Sequence, residues 1–162
     1  MPTTIRTAGP DDAPAVHALI NALAEYEREP DAVESTPDVI RKQLADPRPP
    51  FECLLAEADG EVVGFALFFP TYSTWLGRQG LWLEDLFVLE SYRRRGIGRA
   101  LLTSVAQLAV ARGYGRLEWS VLDWNEPALA FYRRLGAVPL DTRTMHRVTG
   151  ESLRSLAASR QA

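Results

Sequence analysis

The stretch Leu86-Phe87-Val88-Leu89-Glu90-Ser91-Tyr92-Arg93-Arg94-Arg95-Gly96-Ile97-Gly98-Arg99-Ala100 decides the fold. It reads as the end of an apolar strand, a turn over residues 90–95, and the start of a long helix. From Ile97 onward Leu101, Val105, Leu108 and Ala109 recur at helical spacing, and Gly113 and Gly115 supply the stop. The first N–H groups of a helix have no partner in the helix and together carry about half a positive charge. Glycines at that point let a phosphate approach the backbone. Flanking arginines add charge-assisted hydrogen bonds. The segment is therefore a cradle for a small anion in principle. It is not the dinucleotide fingerprint, because Leu101 stands where a third glycine belongs. It is not a P-loop, which needs Gly-Lys-Ser/Thr. A plain helix start with solvated arginines is the alternative.

Working outward, residues 79–88 form the strand that feeds the turn. Before it, Asp59-Gly60 separates two apolar runs, residues 51–58 and 61–69, which is a hairpin signal. Residues 4–7 make a first strand. Asp11-Asp12 then starts a helix whose face is Val16, Leu19, Ile20, Leu23 and Ala24. Thr36-Pro37-Asp38 starts a short second helix with Val39, Ile40 and Leu44 on its apolar side. After the long helix come a strand at residues 116–122 and a helix opened by Asn125-Glu126-Pro127 and closed by Gly136. Two closing strands are expected at 137–140 and 144–148, and a last helix at 151–159. Strands and helices interleave, so the class is α/β (α+β), a mixed sheet with helices on its faces.

Composition narrows the classes. The chain has 162 residues, 46% hydrophobic and 24% charged, which suits one domain spanning 1–162. Cys53 is the only cysteine, which excludes an intrachain disulfide and favours a reducing compartment, the cytoplasm. Residues 1–10 lack the apolar core of a signal peptide. The longest apolar run, residues 62–77, is interrupted by Pro70, Thr71, Ser73 and Thr74, so no membrane span is expected. Net charge is −3, which counts against nucleic acid as a partner. Against that acidic background, Arg93, Arg94, Arg95 and Arg99 make a local basic cluster suited to a small anion. His17 and His146 have no ligand spacing around them, so no metal is assigned.

A second segment gives the cradle its context. Asn125…Ala128…Phe131-Tyr132…Gly136 follows Arg93-x-x-Gly96-x-Gly98 in an order and separation that resembles the GNAT acetyltransferases. Ala24-Glu25-Tyr26-Glu27, Tyr72…Trp75-x-Gly77, Trp82-Leu83-Glu84-Asp85-Leu86-Phe87-Val88 and Trp124-Asn125-Glu126-Pro127 are similar to the diamine (spermidine/spermine) acetyltransferase branch. The likeness runs from Thr4 to Val148. It implies a mostly antiparallel mixed sheet with a splayed central strand pair and flanking helices. It implies acetyl-CoA as co-substrate, a small-molecule amine as acceptor, and a homodimer.

The resemblance also implies roles. Leu86, Phe87 and Val88 would line the splay. Arg93, Arg94, Arg95, Gly96, Ile97, Gly98, Arg99 and Ala100 would cradle the pyrophosphate. Asn125 and Ala128 would line the pantetheine arm. Tyr132 would face the sulfur as general acid, unless it is a core aromatic. Tyr26, Glu27, Glu84, Asp85 and Trp119 would stand near the amine. Glu84 and Asp85 alternate faces on a strand, so one points inward, and Glu84, grouped with Leu86 and Val88, is favoured as the base; Asp85 would then group with Leu83 and Phe87. Glu27, Glu29, Asp31 and Glu34 form either a solvated loop or a cation-attracting rim. Tyr72, Trp75 and Trp82 are core or a substrate wall, with core favoured for Trp82. Trp119 and Trp124 are also packing candidates, and Cys53 a buried hairpin residue.

The chemistry fits these residue types. An amine with a pKa of about 10.4 must lose a proton before attack, at roughly 4–5 kcal/mol at neutral pH. A carboxylate, Glu84 or Glu27, can accept it directly or through water, a backbone N–H such as Val88's can hold the acyl oxygen, and a tyrosine can protonate the leaving thiolate. Ser73 and Thr144 stand where the polyamine enzymes tend to be acidic, and Arg143 adds a positive charge. These departures weaken the case for spermidine or spermine and leave diamines, thialysine-like amino acids and amine-bearing drugs. The rivals are a protein N-terminal or lysine acetyltransferase and a non-catalytic acyl-CoA-binding regulator.

Overall fold

The computed structural model describes residues 2–160. The chain divides into two compact units, Met1–Ser120 and Val121–Ala162. The first unit is built on a five-stranded sheet, ordered β1 (Thr4–Thr7), β2 (Glu52–Ala58), β3 (Glu61–Ser73), β4 (Arg78–Val88), β5 (Leu117–Glu118). The first three pairings are antiparallel and the last is parallel. This is the mixed, mostly antiparallel sheet expected from the sequence. Asp59 and Gly60 turn β2 into β3 with φ of 54° and 79°, the doubly positive geometry that the Asp-Gly pair announces.

β3 runs beyond the expected end at Phe69 because Pro70 sits past the last β2 pairing, at Phe68. On that side the missing proline N–H leaves no ladder bond broken. β5 is much shorter than the expected 116–122. It pairs with β4 only at Leu81–Leu117 and Trp82–Glu118.

Helices α1 (Ala13–Tyr26) and α2 (Pro37–Ala45) cover one face of the sheet. Their buried Val16, Leu19 and Ile40 pack on Cys53, Leu55, Phe65, Leu67 and Phe87. Thr36 Oγ1 caps α2 by accepting the Val39 N–H at 3.2 Å. Val39 itself, expected on the apolar side, is exposed; Ile40 alone of that helix is fully buried. Arg6 of β1 donates to Asp12 and to Glu57 at 2.7–2.9 Å, tying the start of α1 to the sheet. Those bonds hold the Asp12 carboxyl below the usual carboxylate range.

Helix α3 (Ile97–Ala111) covers the other face through Ile97, Leu101, Leu102, Val105 and Ala109. It approaches β3 closely at Gly64. A Cβ there would lie 2.9 Å from the Phe87 carbonyl oxygen, 3.2 Å from Val88 Cγ2 and 3.4 Å from Leu101 Cδ1.

The second unit holds α4 (Glu126–Arg134) and α5 (Gly150–Ala158), close to the expected helices. The closing strands expected at 137–140 and 144–148 do not form among the described residues. No ladder pairs them, Val138 and Leu140 are exposed, and two short strands without a third are marginal in water.

Gly64→Ala is expected to destabilise the first unit by about 1–3 kcal/mol through overpacking. Urea unfolding of the variant and wild type measures it; equal midpoints would show that β4 at Phe87 and Val88 yields freely.

Candidate active site

The parting of β4 from β5 creates the first element of the site. Beyond Trp82 the β4 edge has left β5, while β3 still pairs with it as far as Val88. The Leu89 N–H donates to the Val63 carbonyl at 2.9 Å. Antiparallel ladders alternate, so Phe87 faces β3 with its backbone groups, and Leu86 and Val88 turn theirs to the opposite edge. The expected splay at Leu86, Phe87 and Val88 is thus a strand edge with its hydrogen-bonding groups aimed into a gap.

The second element is the α3 start. Gly96, at φ +76°, precedes the helix with no side-chain cap. Ala100 N–H takes the Gly96 carbonyl at 3.0 Å, which leaves the N–H groups of Ile97, Gly98 and Arg99 at the helix mouth. Arg94 (φ +63°) and Gly96 are left-handed on either side of Arg95. Such alternation points successive N–H groups into one anion-binding concavity. A Cβ on Gly98 would lie 3.9 Å from Val88 Cγ2, so this mouth adjoins the strand edge.

The arginine cluster divides. Arg95 donates to Asp59 at 3.2 Å and lies over the Tyr92 ring. Arg93 Nε donates to the Val88 carbonyl at 2.9 Å. Its guanidinium sits 4.7 Å from the Tyr26 ring centroid and 5.2 Å from that of Phe87. Both side chains, expected on a phosphate, are engaged within the protein. Arg94 and Arg99 make no side-chain hydrogen bond or ion pair among the described residues, and so remain for an anion.

The third element is a carboxylate trio. The β3–β4 register slips between Leu67 and Phe68, pairing Leu67 with Asp85 and Phe68 with Leu83. Glu84 is therefore the extra residue of a bulge. Strict alternation would have grouped Glu84 with Leu86 and Val88, and Asp85 with Leu83 and Phe87. The bulge breaks that grouping. Asp85 falls in one cross-strand row with Leu67 and Cys53, on the α1 side that also holds Phe87. Leu83 turns to the other face. Glu84 is exposed and accepts the Trp82 indole N–H at 2.9 Å.

Burial, then the charges of Glu84 and Glu27, push the Asp85 carboxyl up to about 7. Burial and Glu84 also raise Glu27, at the C-terminal end of α1. Glu27, Glu84 and Asp85 thus act on one another through their charges, and Tyr26, next to Glu27, contacts the Phe87 ring. Burial, and after it the Asp85 charge, pushes the Cys53 thiol up to about 12.

The remaining candidates sit on α1, on β3 and in the segments that follow β3 and β5. Tyr72 and Trp75 are exposed, not core. Ser73 Oγ accepts the Leu76 N–H at 3.1 Å, so it serves the β3–β4 turn. His17 bonds the Ser35 carbonyl at 2.8 Å. Trp119 is half-buried just after β5.

In the second unit, Asn125 is 9% exposed and caps α4, its side chain accepting the Ala128 N–H at 3.4 Å. Tyr132 is half-buried one turn further along α4, its ring 5.5 Å from that of Phe131. Gly136 closes the helix at φ +85°.

Residues 16–137 match the acetyltransferase (GNAT) family. A thialysine N-epsilon-acetyltransferase of Bos taurus is 39% identical over 94% of this chain and 96% of its own length. An L-ornithine N5-acetyltransferase of Arabidopsis thaliana is 33% identical over 94% of this chain and 86% of its own. An integron cassette protein of V. cholerae shares the fold at a TM-score of 0.82 and 23% identity, covering 98% of this chain and 99% of that one. The chain belongs to the GNAT acetyltransferase family. GNAT acetyltransferases are acyltransferases that take acetyl-CoA as co-substrate. The uncapped α3 mouth with Arg94 and Arg99 beside it fits a pyrophosphate, and the strand edge, with the Leu86 groups and the Val88 N–H open and the Val88 carbonyl held by Arg93, fits an amide-bearing chain laid along it.

The raised Asp85 pKa has a signed consequence for stability. Between its ordinary 3.8 and about 7 the folded chain holds a proton that the unfolded chain has lost, so this carboxyl lowers stability as pH rises through that window. Asp85→Asn removes the effect. Its stability relative to wild type should climb from pH 4 to pH 7 and then level off, read from denaturant midpoints at each pH.

Proposed function

We propose that the chain, working as one GNAT domain, acetylates a primary amine of a small molecule: a diamine, a polyamine or a thialysine-like amino acid. Acetyl passes directly from acetyl-CoA in a ternary complex. The observation that carries the reading is Asp85, a partly buried carboxyl that burial and the charges of Glu84 and Glu27 hold near pKa 7. Three carboxylates on one neighbourhood attract a cation. One of them is tuned to take its proton.

The magnitudes favour Asp85 over Glu84 as the base. Transfer from an amine at about 10.4 to an ordinary carboxylic acid near 3.8 would cost roughly 9 kcal/mol. Transfer to a group at about 7 costs roughly half that, close to the cost of releasing the proton to neutral water. Glu84, exposed and bonded to the Trp82 indole, raises Asp85 by its charge and helps hold the cation. Bound acetyl-CoA supplies an activated acyl group. The Val88 N–H, aimed at the gap, donates to the acyl oxygen, and the Leu86 backbone orients the arm. The α3 mouth with Arg94 and Arg99 holds the pyrophosphate. Asn125 and Ala128 line the arm, and Tyr132 protonates the departing thiolate. These second-unit roles rest on their motif spacing. Cys53, buried with its thiol near 12, is unsuited to carry an acyl group, which supports direct transfer.

The relatives' acceptors, thialysine and ornithine, each offer a side-chain amine on a small molecule, and support that class. Ser73, spent on its turn, and Arg143 favour a short acceptor. A homodimer in the cytoplasm completes the reading.

Free-thiol release from acetyl-CoA against thialysine, ornithine, diamines, polyamines and a peptide tests it. Turnover is expected with a short amine. Asp85→Asn should lower kcat/KM by about 10²–10⁴. Tyr132→Phe should lower kcat while acetyl-CoA binding is kept. Turnover with the peptide alone would move the chain to protein acetylation. Acetyl-CoA binding without turnover on any acceptor would make it a regulator.

A further inference from the structure

Arg93 opens the glycine-arginine motif, yet its side chain is directed elsewhere. Nε donates to the carbonyl of Val88, the last residue of β4, at 2.9 Å. The guanidinium carbon lies over the rings of Tyr26, the last residue of α1, and Phe87, 4.7 and 5.2 Å from their centroids. The Tyr26 and Phe87 rings are themselves 6.1 Å apart and tilted by 50°. One cation therefore touches both halves of the proposed chemistry. On one side is the strand edge whose Val88 N–H faces the acyl group. On the other is the helix end that carries Glu27. A guanidinium can bond a carbonyl in its plane and stack on rings with its faces at once, which an ammonium cannot.

We propose that Arg93 is a positioning residue that couples the acyl-donor edge to the amine site, rather than a pyrophosphate ligand. It holds the carbonyl of Val88, so that with the Leu89–Val63 bond on the other side the Val88–Leu89 peptide is pinned from both edges, and the end of the strand that carries the Val88 N–H is kept in place. Through Tyr26 it fixes the end of α1, and so the distance from Glu27 to the Asp85–Glu84 bulge. The inference rests on the acetylation reading above, and its test carries readouts that survive if that reading fails.

The test compares wild type, Arg93→Met, Arg93→Lys, Tyr26→Leu and the Arg93→Met/Tyr26→Leu double variant. For Arg93→Met the amine KM should rise about tenfold, the size of one lost buried contact. The acetyl-CoA dissociation constant by calorimetry should stay within about twofold. Arg93→Lys should recover only part of the loss, since it keeps the charge but not the in-plane donor. In the double-variant cycle the two losses should not add, because they report one contact. Independently of turnover, hydrogen–deuterium exchange in Arg93→Met should quicken in two segments together, residues 23–29 and 86–96. A wild type that acetylates no small amine would sink the acetylation reading alone, and exchange and calorimetry would still decide Arg93. The proposal is overturned if acetyl-CoA binding weakens tenfold with amine KM unmoved. It is equally overturned if exchange quickens in 86–96 only, or if the two losses add in full.

Discussion

Everything in the first unit depends on how briefly β4 and β5 stay together. Two paired positions, Leu81–Leu117 and Trp82–Glu118, are enough to anchor the strands side by side. After them β4 continues on the strength of β3 alone. A strand held on one edge keeps half its backbone groups committed and offers the other half outward. Leu86 and the Val88 N–H make that offer, the Val88 carbonyl being held by Arg93, and α3 sets its uncapped end beside it. Gly64 leaves room at that point for the Phe87 carbonyl and the Val88 side chain of β4, with Leu101 of α3 against it.

The carboxylate trio illustrates a different constraint. Removing a carboxyl from water is costly unless it pairs or takes up a proton. Asp85 does the second, and its neighbours Glu84 and Glu27 push it the same way. Folding supports this group at some loss of stability, in exchange for a proton acceptor near neutrality. Stability elsewhere comes from apolar rows such as Leu55–Phe65–Phe87 and from the Arg6–Asp12–Glu57 tie.

Much of this was legible in the residues. Asp59-Gly60, Thr36-Pro37 and the Gly96-Ile97-Gly98 start each name a backbone geometry, and each is found. The order of elements through α4 followed from periodicity and glycine stops. What periodicity misses is a register slip. The bulge at Glu84 leaves no mark in an apolar-polar count, so the faces of Glu84, Asp85 and Leu83 came out differently from simple alternation. The arginine cluster was visible as charge, but not its division into Arg94 and Arg99, which face solvent, and Arg93 and Arg95, which the protein uses itself. Partners such as the Val88 carbonyl are created by folding and have no sequence signature. The two closing strands failed for the same reason, since strand character needs a ladder that local composition does not supply.

The bulge also makes the length of β4 matter apart from its composition. Asp85 and Leu83 already stand opposite the adjacent residues Leu67 and Phe68, so the ladder is in phase on both sides of Glu84. Removing Glu84 would close the bulge and leave Asp85 and Phe87 on the α1 side and Leu83 on the other. The apolar rows would survive, while Trp82 would lose its indole partner and Asp85 a neighbouring charge. The extra residue of a bulge is thus one that a strand can lose without repacking its core. Chains descended from this one should vary in length at position 84 more readily than at the paired positions on either side.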